Sequence, residues 1–527
     1  MTRSIATIIL TSLSMVLVAA APSTPSPPAT AEAVELVLLA GDRPMRVALF
    51  VEIDGRPVNE RWDVAFDHLL AFGDTNGDGV LSQAEAARLP SAFGVRQVLW
   101  GQVNPQSGTP PPFQELDANG DNTVTRAELA AWYRRAGIGG VTIGGGTVPN
   151  PETLTDALVK ALDADGNGTV TEKEFQDAPM ALRKFDANDD ELVTPGELVA
   201  KAVYPGTAGT TRLTPPTSKP THAPQFPVLV LPTDPADTHW TVEMLRRKDG
   251  NKDSSLDAKE SGFDAATFAA LDRDGNGALT AAELAAWRNQ PADVTWHIPL
   301  GTRKPGAEGA SGKKGHVRLD LRADDGRMSE QVAAARKRFL AQFADTDADR
   351  DGHVTAEEAA KLKPSPLVPV LAVADRDGDG RLSQQELIGW LDLQDSFANA
   401  HALVTVLDHG AGLFEVLDAD HDGTLSHREL RGAWGQMHAA GCTADGAFDR
   451  TKLPRQFLAI VSRGQPTSPL GRTPRSGPTW FHAMDRNGDG DVSRREFTGP
   501  ASVFDRLDWD GDGLLSAKEA ARTETKK

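Results

Sequence analysis

Residues 485–496 read DRNGDGDVSRRE and residues 508–519 read DWDGDGLLSAKE, two twelve-residue blocks built to one plan. In the first, Asp485, Asn487 and Asp489 place side-chain oxygens at positions 1, 3 and 5, and Glu496 ends the block at position 12. Gly490 takes position 6, where a chain wrapping round an ion turns sharply, and Asp491 offers its carbonyl at position 7. Ser493 at position 9 acts directly or through water, and Glu496 can bind with both oxygens. The second block repeats the plan with Asp508, Asp510, Asp512, Gly513, Ser516 and Glu519. About six to eight hard oxygens at this spacing are the ligand set Ca²⁺ prefers. One match is within chance for an Asp- and Gly-rich chain; two in tandem are not.

The same plan recurs upstream. Its ligand positions 1, 3, 5 and 12 are Asp74, Asn76, Asp78 and Glu85, then Asp117, Asn119, Asp121 and Glu128, then Asp163, Asp165, Asn167 and Glu174. They continue as Asp186, Asn188, Asp190 and Glu197, as Asp249, Asn251, Asp253 and Glu260, and as Asp272, Asp274, Asn276 and Glu283. Three more blocks follow: Asp347, Asp349, Asp351 and Glu358; Asp375, Asp377, Asp379 and Glu386; Asp418, Asp420, Asp422 and Glu429. With the final two that makes eleven blocks, each with an apolar residue at position 8. Four residues before each block stands another apolar side chain, such as Leu70, Phe343 or Phe504, where an incoming helix would face a core. Segments leaving the blocks place Leu and Trp on one helix side, as with Trp132, Trp287 and Trp390, which read as core.

Spacing implies pairs. Block starts differ by 23 residues for 163 and 186, 249 and 272, and 485 and 508; by 28 for 347 and 375; and by 43 for 74 and 117. The block at Asp418 finds its mate 23 residues on, in 441–452, which keeps Asp445, Gly446, Phe448 and Asp449 but has Gly441 at position 1 and Lys452 at position 12. A lysine cannot ligate a cation, so this block reads as a decayed twelfth hand retained for pairing and empty of metal. Position 6 departs from glycine at Asn122, Glu191 and Ser254. Positive φ is tolerated by Asn and strains Glu and Ser, so the Asp186 loop, with Pro195 in its exit, reads as the weakest.

These loops and flanks resemble the EF-hand superfamily over most of residues 62–523, and the dense pairing resembles secreted bacterial multi-EF-hand proteins. The chain is similar to dockerin modules in its duplicated DxNxDG loops but departs from them in carrying Glu at position 12 throughout and in having six pairs. The resemblance implies calcium binding and no single physiological role. The expected fold is mainly α: an array of six EF-hand pairs, one hand degenerate, with small β additions near 34–58 and 293–322. The expected division is 1–33 signal peptide and Pro-rich tether; 34–145 a β-like segment with pair 1; 150–204 pair 2; 205–236 linker; 237–290 pair 3; 291–327 a β-like segment; 328–395 pair 4; 396–462 pair 5; 463–478 linker; and 479–523 pair 6.

Composition limits the partners. The formal net charge of −19 argues against nucleic acid and against anionic membrane surfaces. About half of the 74 acidic residues are loop ligands. Arg3, the apolar run from Ile5 to Val18 and the small residues that follow read as an export signal, too short to serve as a span, and no later segment does better. Cys442 is alone, so an intramolecular disulfide is excluded.

Catalytic chemistry finds little footing. The stretch 307–313 has P-loop-like glycines, but Lys314 replaces the hydroxyl that would hold Mg²⁺. Glycines in 139–146 lack a dinucleotide fingerprint, and His401, His409, His421, His427 and His438 lack zinc-site spacing and read as surface residues. The expectation is a secreted or periplasmic, non-enzymatic protein binding many Ca²⁺ ions in a structural or buffering role. The alternatives are a calcium-dependent adhesion or scaffold module with an unidentified extracellular partner, and an enzyme with structural calcium.

Overall fold

A computed structural model describes residues 33–39, 43–101, 108–148, 151–202, 204, 227–232, 234, 236–301, 310–361, 367–466 and 477–522. The expected signal peptide, and most of both expected linkers, lie outside the described residues. No helix among those described is long and apolar enough to cross a membrane.

The centre is a β-sandwich, which corrects the expectation of a mainly α array with small β additions: the described residues are mixed, 44% helix and 20% strand. The first sheet contains β1 (Val34–Leu38), β2 (Met45–Ile53), β3 (Arg56–Pro57), β5 (Val228–Val230) and β6 (Val294–Leu300). Here β1 pairs antiparallel with β2 and β5, while β2 also pairs with β3 and runs parallel to β6. The second sheet has the order β4 (Val141–Thr147), β9 (Ala402–Gly410), β10 (Arg455–Ser462), β8 (Val317–Asp324), β7 (Ala310–Lys314). Its β4/β9 and β10/β8 pairs are parallel and its β9/β10 and β8/β7 pairs antiparallel.

Alternate residues of the two sheets meet in one core, with Val47, Leu49 and Val51 from the first and Leu319, Val404, Val406 and Ala459 from the second. The middle strands β9 and β10 are buried on both faces, so they read as continuous apolar runs without the alternation of a half-exposed strand. That is why 402–410 and 455–462 carry no strand signal of their own. β4 is hidden differently. Its Gly144 lies under Trp100, whose ring a Cβ there would meet at 3.3 Å, so the glycine run of 139–146 is a strand thinned for close packing.

The hands pack on this sandwich, and each hand joins another through an antiparallel bridge at or beside position 8. Leu81 bridges Val124, Leu256 bridges Leu279, Val354 pairs with Leu382, and Val492 with Leu515, all between sequence neighbours. Two bridges exchange partners. Val193 of the Asp186 hand pairs with Leu425 of the Asp418 hand through N–H···O bonds of 3.0 and 2.9 Å. The Asp163 hand pairs with the degenerate 441–452 segment, Phe448 N–H donating to the Val170 carbonyl at 2.8 Å. The expected pairs 163 with 186 and 418 with 441 are therefore corrected to 163 with 441 and 186 with 418. The physical reason is a shared core: Leu158, Phe175, Leu182 and Val193 pack with Phe414, Leu425, Leu430 and Met437 in one cluster. Four hands thus form one body.

This exchange is open to test. Residues at a hydrogen-bonded antiparallel pair lie about 5.5 Å apart at Cα, within disulfide reach. Val193→Cys with Leu425→Cys is expected to crosslink on mild oxidation, seen as a faster-migrating non-reduced band. Val170→Cys with Val193→Cys is expected to stay open, and the reverse outcome would restore neighbour pairing.

The 74 and 117 hands and the 347 and 375 hands also share a core, where Leu81, Val124, Val354 and Leu382 join Phe66, Phe339 and Phe397. Trp390 is buried there and Trp132 packs on its edge, while Trp287 is buried beside the 249 and 272 hands. The final pair keeps a small core of its own, Phe481, Val492, Phe504, Leu515 and Ala520.

Candidate metal centres

In the eleven complete blocks the chain leaves a helical turn and wraps through the twelve residues. A helix starts at position 10 of each, except after Asp485, where the chain makes only a turn. The N–H of position 1 closes the incoming turn by donating to the carbonyl four residues back, as Asp74 does to Leu70 at 2.8 Å and Asp485 to Phe481 at 2.9 Å; Asp186 instead reaches Arg183, three back, at 3.2 Å. This explains the apolar residue four places ahead, since the residue that ends the helix also faces the core.

The Glu at position 12 is aimed by the loop. In the first hand Glu85 Oε1 accepts from Thr75 N–H at 2.9 Å, and Oε2 accepts from the Ser82 N–H and hydroxyl at 2.9 and 2.8 Å. Ser82 Oγ accepts in return from the Glu85 N–H, completing a capping box that starts the exit helix. The same box fixes Glu128, Glu174, Glu197, Glu283, Glu386, Glu429 and Glu519, and at Glu260 the cap is Asp257. One motif therefore both begins a helix and fixes both oxygens of a carboxylate over the loop.

The Asp at position 1 gathers the turn from the other side. Asp74 Oδ2 accepts from the Gly79 N–H at 2.9 Å, and the three blocks without glycine at position 6 do the same through Asn122, Glu191 and Ser254 at 3.0, 3.0 and 2.9 Å. These three residues hold φ of +64°, +68° and +69°, so the loop imposes the left-handed turn even where the side chain resists it. Carboxylate oxygens converge accordingly. Asp163, Asp165 and Glu174; Asp272, Asp274 and Glu283; Asp347, Asp349 and Glu358; Asp375, Asp377 and Glu386; and Asp418, Asp420 and Asp422 each bring ligand atoms within 4.8 Å of one another.

The 441–452 segment takes another form. Thr443–Ala444 and Ala447–Phe448 make a hairpin turned by Asp445 and Gly446, both at positive φ, and Lys452 pairs with Asp449 at 3.4 Å. It contributes a bridging strand and no acidic cradle.

Burial separates the loops electrostatically. Most are exposed, and hydrogen bonds from Thr125 and Thr280 hold Glu128 and Glu283 below the usual carboxylate range. Burial raises Glu85, but bonds from Ser82 and Thr75 outweigh it and leave the group at about 2. The Asp418 loop instead lies against the second sheet, where His421 Nε2 meets Asp320 Oδ2 at 2.8 Å and Arg322 reaches the Asp420 carbonyl. Burial and the facing Glu429 push Asp418 well above its ordinary range, and burial lifts Glu429 to about 7. Asp489 is likewise raised by burial to about 7.

The histidine expectation is corrected here. His401, His409 and His421 are buried: 401–409 runs into and along a central strand, and the loop carrying His421 packs against the second sheet. His401 Nε2 pairs with Thr142 Oγ1 at 2.7 Å, and His421 anchors a loop to a sheet. Sequence spacing carried no sign of the Asp320, Arg322, Arg428 or Arg495 contacts, since each spans a large sequence separation.

Comparison with known families matches the EF-hand domain pair over residues 112–180 and the EF hand over residues 263–286, 367–389, 411–432 and 479–498. Comparisons with curated proteins and with solved structures return no match. The chain carries multiple EF-hands with acidic loop groups.

Proposed function

We propose that this chain is an extracytoplasmic calcium-binding protein whose eleven complete EF-hands each hold one Ca²⁺, and that its role is structural or buffering, not enzymatic. The observation that carries this reading is the repeated cradle, in which acidic side chains of positions 1 and 3 converge with a position 12 Glu fixed by its own capping box. Such a set supplies hard oxygens at a spacing suited to Ca²⁺. The loops bear strong negative charge, and eleven divalent ions would carry the formal balance of −19 past neutrality. The apolar run at Ile5 to Val18 supports export, and calcium-rich surroundings suit sites on the order of 10⁻⁴–10⁻³ M.

Native mass spectrometry at saturating Ca²⁺ is expected to find close to eleven ions, with 441–452 contributing none. Six or fewer would overturn the count. Replacing Lys452 by Glu is expected to add no ion, because Gly441 still leaves position 1 without an oxygen ligand and the hairpin occupies the loop.

A further inference from the structure

The final pair of hands is joined to the rest of the described chain by polar contacts. Its core takes no residue from outside the pair. Two arginines, each at position 11 of a calcium loop, make the joint. Arg428 of the Asp418 loop donates to both carboxylate oxygens of Asp491 at 2.6 and 2.7 Å and lies 3.4 Å from Asp512. Arg495 of the Asp485 loop grips Asp189 with both terminal nitrogens and lies 3.6 Å from Glu191. Asn487 Nδ2 adds a 2.9 Å bond to the Asp190 carbonyl. Asp485, Asp491 and Glu496 become buried in this position.

The partners of these contacts sit on the ion-binding loops themselves. Asp491 is the position 7 residue, whose side chain is turned to Arg428 and whose carbonyl is the one a loop of this kind offers to an ion; Asp512 is at position 5. Asp189 and Glu191 flank the position 5 ligand Asp190, and Glu191 is the residue that replaces glycine at a positive φ. Its poor fit to the turn is matched by a use across the joint. The docked arrangement brings the loops beginning at Asp186, Asp485 and Asp508 together, each with four or five carboxylates. Like charges this close lie within the roughly 8 Å over which physiological salt screens. Arg428 and Arg495 alone cannot balance them, whereas each Ca²⁺ removes two charges from a loop.

We propose that calcium occupancy of the 186, 485 and 508 loops decides whether the final pair docks on the four-hand body, with Arg428 and Arg495 as the latch. The proposal rests on the calcium-binding reading above. Loaded loops present ordered carboxylates of reduced net charge to the two guanidiniums. Emptied loops repel one another and release the pair.

Spin labels on Met180→Cys and Ser502→Cys, both exposed, report the separation in the full-length protein with Cys442 left buried in place. With Ca²⁺ the distance distribution is expected to be short and narrow, and with chelator long and broad. Arg428→Glu with Arg495→Glu is expected to give the long distribution even in excess Ca²⁺, while calorimetry still counts the same number of ions. Adding Asp189→Arg to that double variant restores opposite charges across the 189–495 contact and is expected to shorten the distribution again. A narrow distribution in chelator, or one unmoved by both charge reversals, would overturn the latch. Failure of the parent protein to bind Ca²⁺ at all would overturn instead the reading beneath it.

Discussion

Chelation is expected to expand this protein and strip much of its helical signal, and millimolar Ca²⁺ to restore both. The loops hold about half of the chain's 74 acidic residues in short stretches where like charges repel. In most hands the position 12 Glu is also part of the cap that starts an exit helix, so an ion bound there would tie together two things at once: loop charge and helix initiation. Exit helices of four or five residues, such as Gln83–Ala86 and Ala517–Ala521, are too short to persist alone. Metal binding is then folding free energy for the outer hands. The sandwich core should survive, since its strands carry no ligand. Small-angle scattering and far-UV circular dichroism, in chelator and in excess Ca²⁺, are expected to show a larger radius and weaker helical bands without metal. An unchanged radius together with unchanged ellipticity would mean that the hands are folded by their cores alone.

The second large effect is proton release at the buried loops. Glu429 and Asp489 stand at about 7 and Asp418 well above its ordinary range, all chiefly through burial. For an acid raised in the folded state, the ion-free fold binds protons more tightly than the unfolded chain. The ion-free fold is therefore most stable below the unfolded pKa and loses that contribution as pH rises through the folded value near 7. Calcium acts with the opposite sign, because it requires the ionised form. Binding at the Asp418 loop should release protons at neutral pH, and affinity there should fall about tenfold per proton for each pH unit below 7, whereas the Asp485 loop is buried only while the final pair is docked. Loops with carboxylates held low, such as the one closed by Glu85, should be nearly indifferent over the same range. Calorimetry at pH 7 in buffers of different ionisation enthalpy reads this directly: a few of the binding events should show buffer-dependent heats and the majority none. Uniformly buffer-independent heats would exclude buried, protonated ligands. In the Asp418→Ala variant the buffer-dependent share is expected to shrink while the exposed loops titrate as before.

How much of this could be read from the chain depends on how local each interaction is. The acidic loops were legible because their carboxylates, turn and cap all lie within twelve residues. Even the misfit residues Asn122, Glu191 and Ser254 take the expected backbone form. Pairing was not legible, because the bridging code is degenerate. Nearly every hand offers a Val or Leu at position 8, and nothing in Val193 says Leu425 in preference to Val170. The choice is made by the joint core of Phe175, Phe414, Leu425 and Met437, which local spacing cannot express. The sandwich was half legible. β1, β2 and β6 announce themselves by β-branched runs between turn residues, whereas β9 and β10 are buried on both faces and give no period. Reading 396–462 as one hand pair then misplaced His401, His409 and His421 on the surface.

The exchanged bridges have a consequence for assembly in time. Val193 leaves the ribosome long before Leu425, at a synthesis rate of roughly 5–20 residues per second. Until the later segment arrives, the Asp163 and Asp186 hands have each other as the nearest substitute, joined by the same 23-residue spacing that the final pair uses productively. A non-native neighbour pairing is thus expected to compete with the native one during folding. Escape from it requires both bridges to open and re-form together, since freeing one hand leaves two others unmatched. Refolding from the unfolded chain should accordingly show a slow phase that vanishes when 150–204 is supplied already paired to the later segment by the 193–425 crosslink.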